Sequence, residues 1–127
     1  HLKTNNDFSS NIINFMNNGY PTGVGVEIFT IKALKKVWQH EKRKRYREHI
    51  ALNFYDYINK KKNKKFNFKV GTIKCPKKIS RIELLFHVDF YKDYLFIKKI
   101  YEYFLPFKKN FNTNDVIRWY DKIYSKK

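Results

Sequence analysis

The stretch from Leu84 to Asp93 constrains the fold of this chain more than any other part of the sequence. It reads Leu-Leu-Phe-His-Val-Asp-Phe-Tyr-Lys-Asp, a short apolar run that ends in a carboxylate and passes into a helical pattern. The run predicts a buried strand over Glu83–Val88, with Asp89 at its carboxyl end. Ligands of open α/β sheets bind at that edge, where a carboxylate can hold a metal ion. Asp89 could equally be the N-cap of the helix that follows, so both interpretations stay open on pattern alone.

Length and composition predict a single domain over residues 1–127, because no internal repeat or linker divides the sequence. The sequence begins at His1 without an initiator methionine, which fits a fragment or a processed product. Its apolar runs fall far short of the roughly 20 residues needed to span a bilayer, so we expect no membrane partner. Cys75 is the only cysteine, which excludes an internal disulfide and a cysteine-based zinc site and favours a cytoplasmic location.

The formal net charge of +17 has two competing explanations. A strongly basic chain suggests a nucleic acid or an anionic membrane as partner. However, Lys, Asn, Ile, Phe and Tyr make up 71 of the 127 residues, and these five amino acids have the most A/T-rich codons. A genome that drifts towards A/T places lysine wherever a solvated surface tolerates it. We give this second explanation more weight, so nucleic acid is not the expected partner.

The spacing of apolar residues predicts an α/β chain in which helices cover a small sheet. Trp38, on the apolar face of the first long helix, is expected in the core. The predicted elements, in order, are a helix from Asp7 to Asn18, a strand over Val24–Phe29, a helix capped by Thr30, a helix through Ile50–Ile58, strands over Phe66–Val70 and Glu83–Val88, a helix after Asp89 that Pro106 ends, and a last helix capped by Asn112 or Thr113.

A loop rich in turn residues is predicted over residues 17–25, which hold three of the four glycines. Its backbone needs conformational freedom or close approach to another group. Glu27 follows within an apolar strand pattern, where a carboxylate must find a partner or a ligand. Asp93 falls in the first turn of a predicted helix, where the helix dipole already accounts for a carboxylate.

Arg47, Glu48 and His49 place a cation, a carboxylate and a titratable base side by side. Such a set can clamp an anionic or hydroxyl-rich substrate. Neighbouring residues on a helix point about 100° apart, however, so a salt-bridged surface is the simpler interpretation of the pattern.

Four segments in this order resemble the C-terminal half of the cytidylyltransferases of the spore-coat-polysaccharide and acylneuraminate type, which make nucleotide-activated sugars. The resemblance covers about residues 7 to 123. The segments are Tyr-Pro-Thr-Gly-Val-Gly-Val-Glu-Ile-Phe at 20–29, Tyr-Arg-Glu-His at 46–49, Phe-His-Val-Asp at 86–89 with Asp93, and Ile-Tyr-Glu at 100–102.

The resemblance implies the C-terminal part of a Rossmann-like nucleotidyltransferase fold. In that family a sugar oxygen attacks the α-phosphate of CTP and pyrophosphate leaves with the assistance of Mg²⁺. By this likeness Asp89 is a metal ligand, while no catalytic residue is assigned. The residues implied on the substrate side are Tyr20, Gly23, Glu27, Arg47, Glu48 and His49.

We therefore expect a fragment of an enzyme that transfers CMP from CTP to a sugar or sugar acid for cell-surface polysaccharide biosynthesis. The chain alone is expected to be inactive, because the family's N-terminal half, with its nucleotide loop and first metal aspartate, has no counterpart here. A homodimer stays open. The alternative is a small basic module that contacts nucleic acid through Lys42–Arg47 and Lys60–Lys65, with binding that weakens steeply as salt rises.

Overall fold

The computed structural model describes residues 2–13 and 18–124. The chain divides into two compact units. We call the first, formed by His1–Asn18 and Gly25–Lys74, the sheet unit, and the second, formed by Gly19–Val24 and Cys75–Lys127, the helical unit. A single domain over residues 1–127 stays a prediction. No helix within the described ranges has the length and apolar character needed to cross a bilayer.

The sheet unit contains short strands, two helices and single helical turns. Its strands are β1 (Phe8–Ser10), β2 (Glu27–Phe29), β3 (Tyr55–Asp56), β4 (Lys61–Lys62) and β5 (Val70–Gly71), its helices are α1 (Ile31–His40) and α2 (Lys44–Glu48), and its 3-10 turns are Leu2–Thr4 and Ile50–Asn53.

A three-stranded sheet lies at the centre of the sheet unit, in the order β2-β1-β5. β1 pairs antiparallel with β2 and parallel with β5, so that Phe8 lies opposite both Phe29 and Val70. Phe8 is fully buried and stacks on Phe54 at 4.8 Å between ring centroids. Burial of aromatic surface of this kind stabilises the unit by roughly 1.5–3 kcal/mol per side chain. β3 and β4 form a separate antiparallel hairpin.

α1 begins where the sequence predicts. The Oγ1 of Thr30 accepts a hydrogen bond from the backbone N–H of Ala33 at 3.2 Å, which satisfies one of the free donors of the first turn. Ala33 and Val37 are the buried residues of this helix, whereas Trp38 is 70% exposed. The prediction that Trp38 lies in the core is therefore wrong.

Two of the predicted helices are absent from the described residues. The helix expected from Asp7 onward is wrong at β1, where pairing on both sides outweighs a weak helical spacing; residues 14–17 of it lie outside the described ranges. The helix expected through Ile50–Ile58 is replaced by a 3-10 turn and by β3. There the buried Asn53 donates to the backbone carbonyls of Tyr46 (2.7 Å) and Ile50 (3.0 Å), which fixes a turn.

The helical unit contains α3 (Tyr91–Phe104), α4 (Thr113–Trp119), a 3-10 turn at Lys77–Ile79 and a π turn at Tyr120–Tyr124. Both helices follow their predicted boundaries. α3 ends two residues before Pro106, which cannot continue a helix. Asn112 caps α4, because its side chain accepts from Asn114 N at 3.0 Å and Asp115 N at 3.2 Å.

The two helices of the helical unit pack through one apolar cluster. Its buried members are Ile100, Phe104, Val116 and Trp119. These residues recur at intervals of three or four along each helix, so each helix presents one apolar face to this core.

The segment Glu83–Val88 is not the buried strand that the apolar run predicts, and Glu83 itself lies in a turn. Leu84 is buried, whereas Leu85 and Val88 are 46% and 54% exposed. In the described residues its strand-like pairing is a single parallel bridge between Leu85 and Thr22. Leu84 is thus the buried side chain of this apolar run, because a single bridge leaves most of the segment uncovered.

Candidate functional site

The glycine-rich loop and the stretch before α3 lie against each other in the helical unit. The backbone N–H of Thr22 donates to the Leu84 carbonyl at 3.2 Å, and the N–H of Phe86 donates to the Thr22 carbonyl at 2.8 Å. Two segments of the family resemblance, about 60 residues apart in sequence, are therefore joined by backbone hydrogen bonds. Tyr20, at the start of this loop, is half-buried.

Gly23 is the closest point of this contact. Its φ of +94° lies in the left-handed region, which side chains rarely adopt. A Cβ added here would lie 2.5 Å from the carbonyl carbon of Phe86 and 2.7 Å from the nitrogen of His87. Backbone atoms cannot move aside as a flexible side chain can, so this position requires glycine. The prediction that the loop needs close approach to another group is confirmed at this residue.

Asp89 lies two residues beyond that contact and presents its carboxylate to solvent. Its side chain is 66% exposed, and Oδ2 lies 3.3 Å from Nε2 of His87. The other ring nitrogen of His87, Nδ1, is buried and has no hydrogen-bond partner among the described residues. Among the described residues, the carboxylate of Asp89 thus has one histidine neighbour and an oxygen available for a further interaction.

Asp93, not Asp89, completes the start of α3. Its Oδ2 accepts from the backbone N–H of Phe90 at 2.9 Å and of Asp89 at 3.2 Å. Phe90 occupies the N-cap position, so the alternative in which Asp89 itself caps the helix is wrong. Asp93 therefore stabilises the helix N-terminus, as its position in the first turn predicts.

The residues present fit a Mg²⁺ ion only as a partial site. Residues 2–13 and 18–124 contain no group of three His, Cys, Asp or Glu side chains arranged to hold a metal. Mg²⁺ in phosphate-transfer sites is bound by one or two carboxylates, with water and phosphate oxygens completing an octahedron. The exposed carboxylate of Asp89 can supply one such ligand, whereas Asp93 is occupied by backbone N–H groups.

Glu27, in the sheet unit, lies in a cluster with two tyrosines. The hydroxyl of Tyr57 donates to Glu27 Oε1 at 3.4 Å, and the rings of Tyr55 and Tyr57 meet edge to face at 4.3 Å. Loss of solvation raises the pKa of Glu27, and the Tyr57 hydrogen bond opposes that rise. Burial likewise raises the pKa of both tyrosines. Glu27 lies on the exposed part of β2 with Tyr57 as its hydrogen-bond partner, and it can exchange this hydrogen bond for one to a ligand hydroxyl.

Arg47 does not extend freely towards a ligand. Its guanidinium lies 4.1 Å over the ring of Trp38, and one NH group donates to the Glu41 carbonyl at 3.2 Å. This cation–π contact explains why a large exposed indole is tolerated on α1. Glu48 and His49 are exposed at the end of α2, and no ion pair or hydrogen bond between side chains joins them to Arg47 or Glu27 in the described residues.

Glu41 is the polar residue that the sequence pattern missed. It is fully buried where α1 ends, and its carboxylate accepts from Arg43 Nε (2.9 Å) and NH2 (2.7 Å) and from Lys65 Nζ (2.7 Å). The Arg43 hydrogen bonds are the largest cause of a pKa held well below its usual range, and burial opposes them. A single acid within a run of cations was the available signal.

An apolar groove of about 360 Å³ lies in the helical unit. Val24 and Phe86 line it from the loop contact, Ile97 and Tyr101 from α3, and Asn112 from the start of α4. It combines ring surfaces with an amide and thus suits a flat, partly polar group.

Comparisons with known proteins agree with this architecture. No protein-family profile matches the sequence. An uncharacterized protein of Methanocaldococcus jannaschii is 30% identical over 105 residues, which cover 81% of this chain and 37% of that protein. A solved cytidylyltransferase structure from Leptospira borgpetersenii serovar Hardjo-bovis superposes with a TM-score of 0.75 at 24% identity, covering 98% of this chain and 48% of the other.

The chain thus spans less than half the length of either similar protein. The superposition includes nearly every residue, so both the sheet unit and the helical unit have counterparts in the solved structure. The expected mixed α/β architecture is confirmed, and the chain has a cytidylyltransferase-like fold.

Proposed function

We propose that this chain is the C-terminal part of a nucleotidyltransferase that transfers CMP from CTP to a sugar or sugar acid. The product would serve cell-surface polysaccharide biosynthesis, as in cytidylyltransferases of the spore-coat and acylneuraminate type. The likeness of fold supports the reaction class. The observation that carries the proposal is the contact of Gly23 with Phe86 and His87, which joins two of the resembling segments beside Asp89.

In the proposed reaction a sugar hydroxyl oxygen attacks the α-phosphorus of CTP. The new bond joins that oxygen to phosphorus, the bond to the β-phosphate bridging oxygen breaks, and pyrophosphate leaves. The hydroxyl proton passes to a base that this chain does not identify. Mg²⁺, when bound, would neutralise phosphate charge and hold the reacting groups in line.

We assign roles to residues of each unit on the basis of the resemblance. In the helical unit, Asp89 would be a Mg²⁺ ligand, and Tyr20 and Gly23 would form part of the substrate loop. In the sheet unit, the Glu27 carboxylate would accept a hydrogen bond from a sugar hydroxyl in place of the one from Tyr57. The exposed Glu48 and His49 would form hydrogen bonds with other polar groups of the substrate. The roles of Asp89, Glu27, Glu48 and His49 require side chains that are exposed or whose hydrogen bonds can be exchanged.

Of the residues implied on the substrate side, Arg47 is the least able to contact a substrate. Its planar face and one NH group are engaged with Trp38 and Glu41. It would act by positioning α2 rather than by clamping an anion, so Arg47→Lys should weaken the fold of this segment before it changes substrate affinity.

The test measures Mg²⁺-dependent release of pyrophosphate from CTP in the presence of a panel of sugars and sugar acids. The protein assayed is the product of the complete reading frame that contains residues 1–127. Asp89→Asn should reduce the release at least a hundredfold, because a metal ligand is lost. Glu83→Gln is the matched control, since it removes one carboxylate from an exposed ion pair with Arg81 in the same unit.

Unchanged release by Asp89→Asn would remove Asp89 from the mechanism. Absence of pyrophosphate release with CTP and every acceptor, in a protein shown to be folded, would contradict the proposed function itself. Faster release of pyrophosphate from another nucleoside triphosphate would support the same reaction class, with that nucleotide as the substrate in place of CTP.

A further inference from the structure

Two basic segments that are separate in sequence line one cleft of the sheet unit. The residues lining it are Arg43, Tyr46, Asp56 and Lys61–Lys65, and the cavity measures about 640 Å³. We call this the lysine cleft. Segment 42–47 contributes through α2, and segment 60–65 contributes through β4 and the residues after it. The alternative function expected from the sequence depends on these same two segments, and the structure shows that both line one cleft.

The two acidic groups near the lysine cleft, Asp56 and Glu41, differ in how they offset its positive charge. Asp56 accepts hydrogen bonds from Ile58 N (2.9 Å), Asn59 N (3.0 Å) and Asn59 Nδ2 (2.8 Å) within its own turn. Glu41 is buried beneath Arg43 and Lys65 and holds both cations. Glu41 cannot turn to a further lysine without losing these bonds, whereas Asp56 keeps its negative charge and lies opposite Lys61.

Lys62 and Lys64 are left without a counter-charge among the described residues, whereas Lys61 lies opposite Asp56 across the hairpin. Within the part of the chain that the structure describes, Lys61, Lys62 and Lys64 make no ion pair. They are exposed and follow one another along the chain. Uncompensated cations in a concave surface concentrate the positive potential and attract anions.

We propose that the lysine cleft binds the phosphate backbone of single-stranded nucleic acid. The point at which donors converge, between Arg43 and Lys65, is filled by the Glu41 carboxylate, which disfavours a compact anion. Lys61, Lys62 and Lys64 line the cleft from one short segment, which suits a chain of phosphates that carries one charge per unit. Tyr46 in the cleft wall, with Arg43 3.6 Å over its ring, supplies an aromatic and guanidinium surface for a base.

This binding is independent of the proposed nucleotidyltransferase reaction and goes beyond it. It also revises the expectation from composition, in which codon usage accounts for the lysines. Codon usage predicts lysine on all solvated surfaces alike, whereas these lysines share one cleft in which Asp56 is the one acid among the described lining residues. The experiment must therefore separate the cleft from the net charge of +17.

Fluorescence anisotropy with a labelled oligouridine of about 12 nucleotides measures this binding in the 127-residue chain. The triple substitution Lys61→Gln, Lys62→Gln, Lys64→Gln should weaken affinity at low salt roughly tenfold or more and reduce the slope of log K against log salt by about 2. The corresponding Lys→Arg variant should retain affinity and slope, which excludes a folding defect as the cause.

The matched control is Lys77→Gln, Lys78→Gln, Lys109→Gln. It removes the same charge from exposed positions of the helical unit and should leave the slope unchanged. Equal loss in both triple glutamine variants, or no binding at low salt, would overturn the proposal. Equally tight binding of polyglutamate, or displacement by tripolyphosphate at a matched concentration of phosphate groups, would also overturn it in favour of another anion.

Discussion

The Nζ of Lys65 lies 2.7 Å from Oε2 of Glu41, a residue twenty-four positions earlier in the chain. This ion pair joins the end of α1 to the segment after β4, and its carboxylate is fully buried. Glu41→Gln should destabilise the chain by about 3 kcal/mol, the lower end for breaking a buried pair, because both cations are exposed enough to turn to water. Urea unfolding measures the change, with the exposed Glu48→Gln as a control expected to lie within about 0.5 kcal/mol. An equal effect of the two substitutions would contradict a structural role for Glu41.

The same carboxylate predicts how stability depends on acid. The Arg43 hydrogen bonds hold the folded pKa of Glu41 below its ordinary value of 4.5, so the unfolded chain binds the proton more tightly. The stabilisation is therefore present above that ordinary value and is lost as pH falls below it towards the folded pKa. Unfolding curves of the wild type and Glu41→Gln should converge as the pH falls through this range. Curves that remain parallel would show that Glu41 does not titrate with folding.

Glu27 should respond to its tyrosine neighbour in the opposite sense. Loss of solvation raises its folded pKa, and the Tyr57 hydrogen bond restrains that rise. Tyr57→Phe should raise the pKa further, as measured by the side-chain carboxyl ¹³C shift of Glu27 across a pH titration. Tyr91→Phe, at an exposed position of the helical unit, is the control and should leave the midpoint unchanged. Because the folded form holds the proton more tightly, the contribution of Glu27 to stability should decrease as pH rises through the unfolded and folded pKa values.

Alanine substitutions at two glycines distinguish the effect of backbone strain on stability from the effect of side-chain crowding. Gly23→Ala should destabilise the chain by about 2 kcal/mol or more, because the new Cβ meets backbone atoms at a positive φ. Gly25→Ala should cost less than about 1 kcal/mol, since its Cβ meets the flexible end of Ile12. Thermal unfolding of both variants tests this order. A larger loss in Gly25→Ala would show that the contact between Gly23 and Phe86 is not tight in solution.

Mg²⁺ should bind the 127-residue chain weakly. Asp89 offers one exposed carboxylate, and the described residues supply no group of three ligands around it. Affinity on the order of millimolar or weaker is expected for one carboxylate and water. Titration followed by ¹H–¹⁵N spectra should move the Asp89 amide without reaching saturation, and Asp89→Asn should abolish the movement. Micromolar binding would reveal ligands that this structure does not place near Asp89.

The helices that sequence predicted correctly are those with local signals. Thr30 and Asn112 each bond a backbone N–H within three residues, and Pro106 blocks helix continuation without help from any distant group. The helix expected through Ile50–Ile58 had helical spacing but no such signals. Its alternative is held by contacts made elsewhere in the chain, such as Asn63 N donating to the Phe54 carbonyl at 2.9 Å. Spacing alone cannot weigh a turn stabilised by a partner nine residues later.

The candidate site divides in the same way. The need for glycine in residues 17–25 was visible, because few other requirements explain three glycines in a short segment. Its partner, the backbone of Phe86 and His87, was not visible, since close approach leaves no mark on the sequence of the second segment. Trp38 shows the same limit, because Arg47 covers its ring from outside its own helix.

The contact at Gly23 also determines where this chain can accept inserted residues. Thr22 forms backbone hydrogen bonds with Leu84 and Phe86, and Gly23 makes the close backbone approach to Phe86. An extra residue between Thr22 and Gly23 would shift one of these contacts out of register with the other. The exposed turn at residues 58–60 bonds locally to Asp56, and among the described residues it makes no such backbone pairing with a distant segment. A peptide tag or a fluorescent label placed in that turn should leave the helical unit intact, whereas the same insertion beside Gly23 should not.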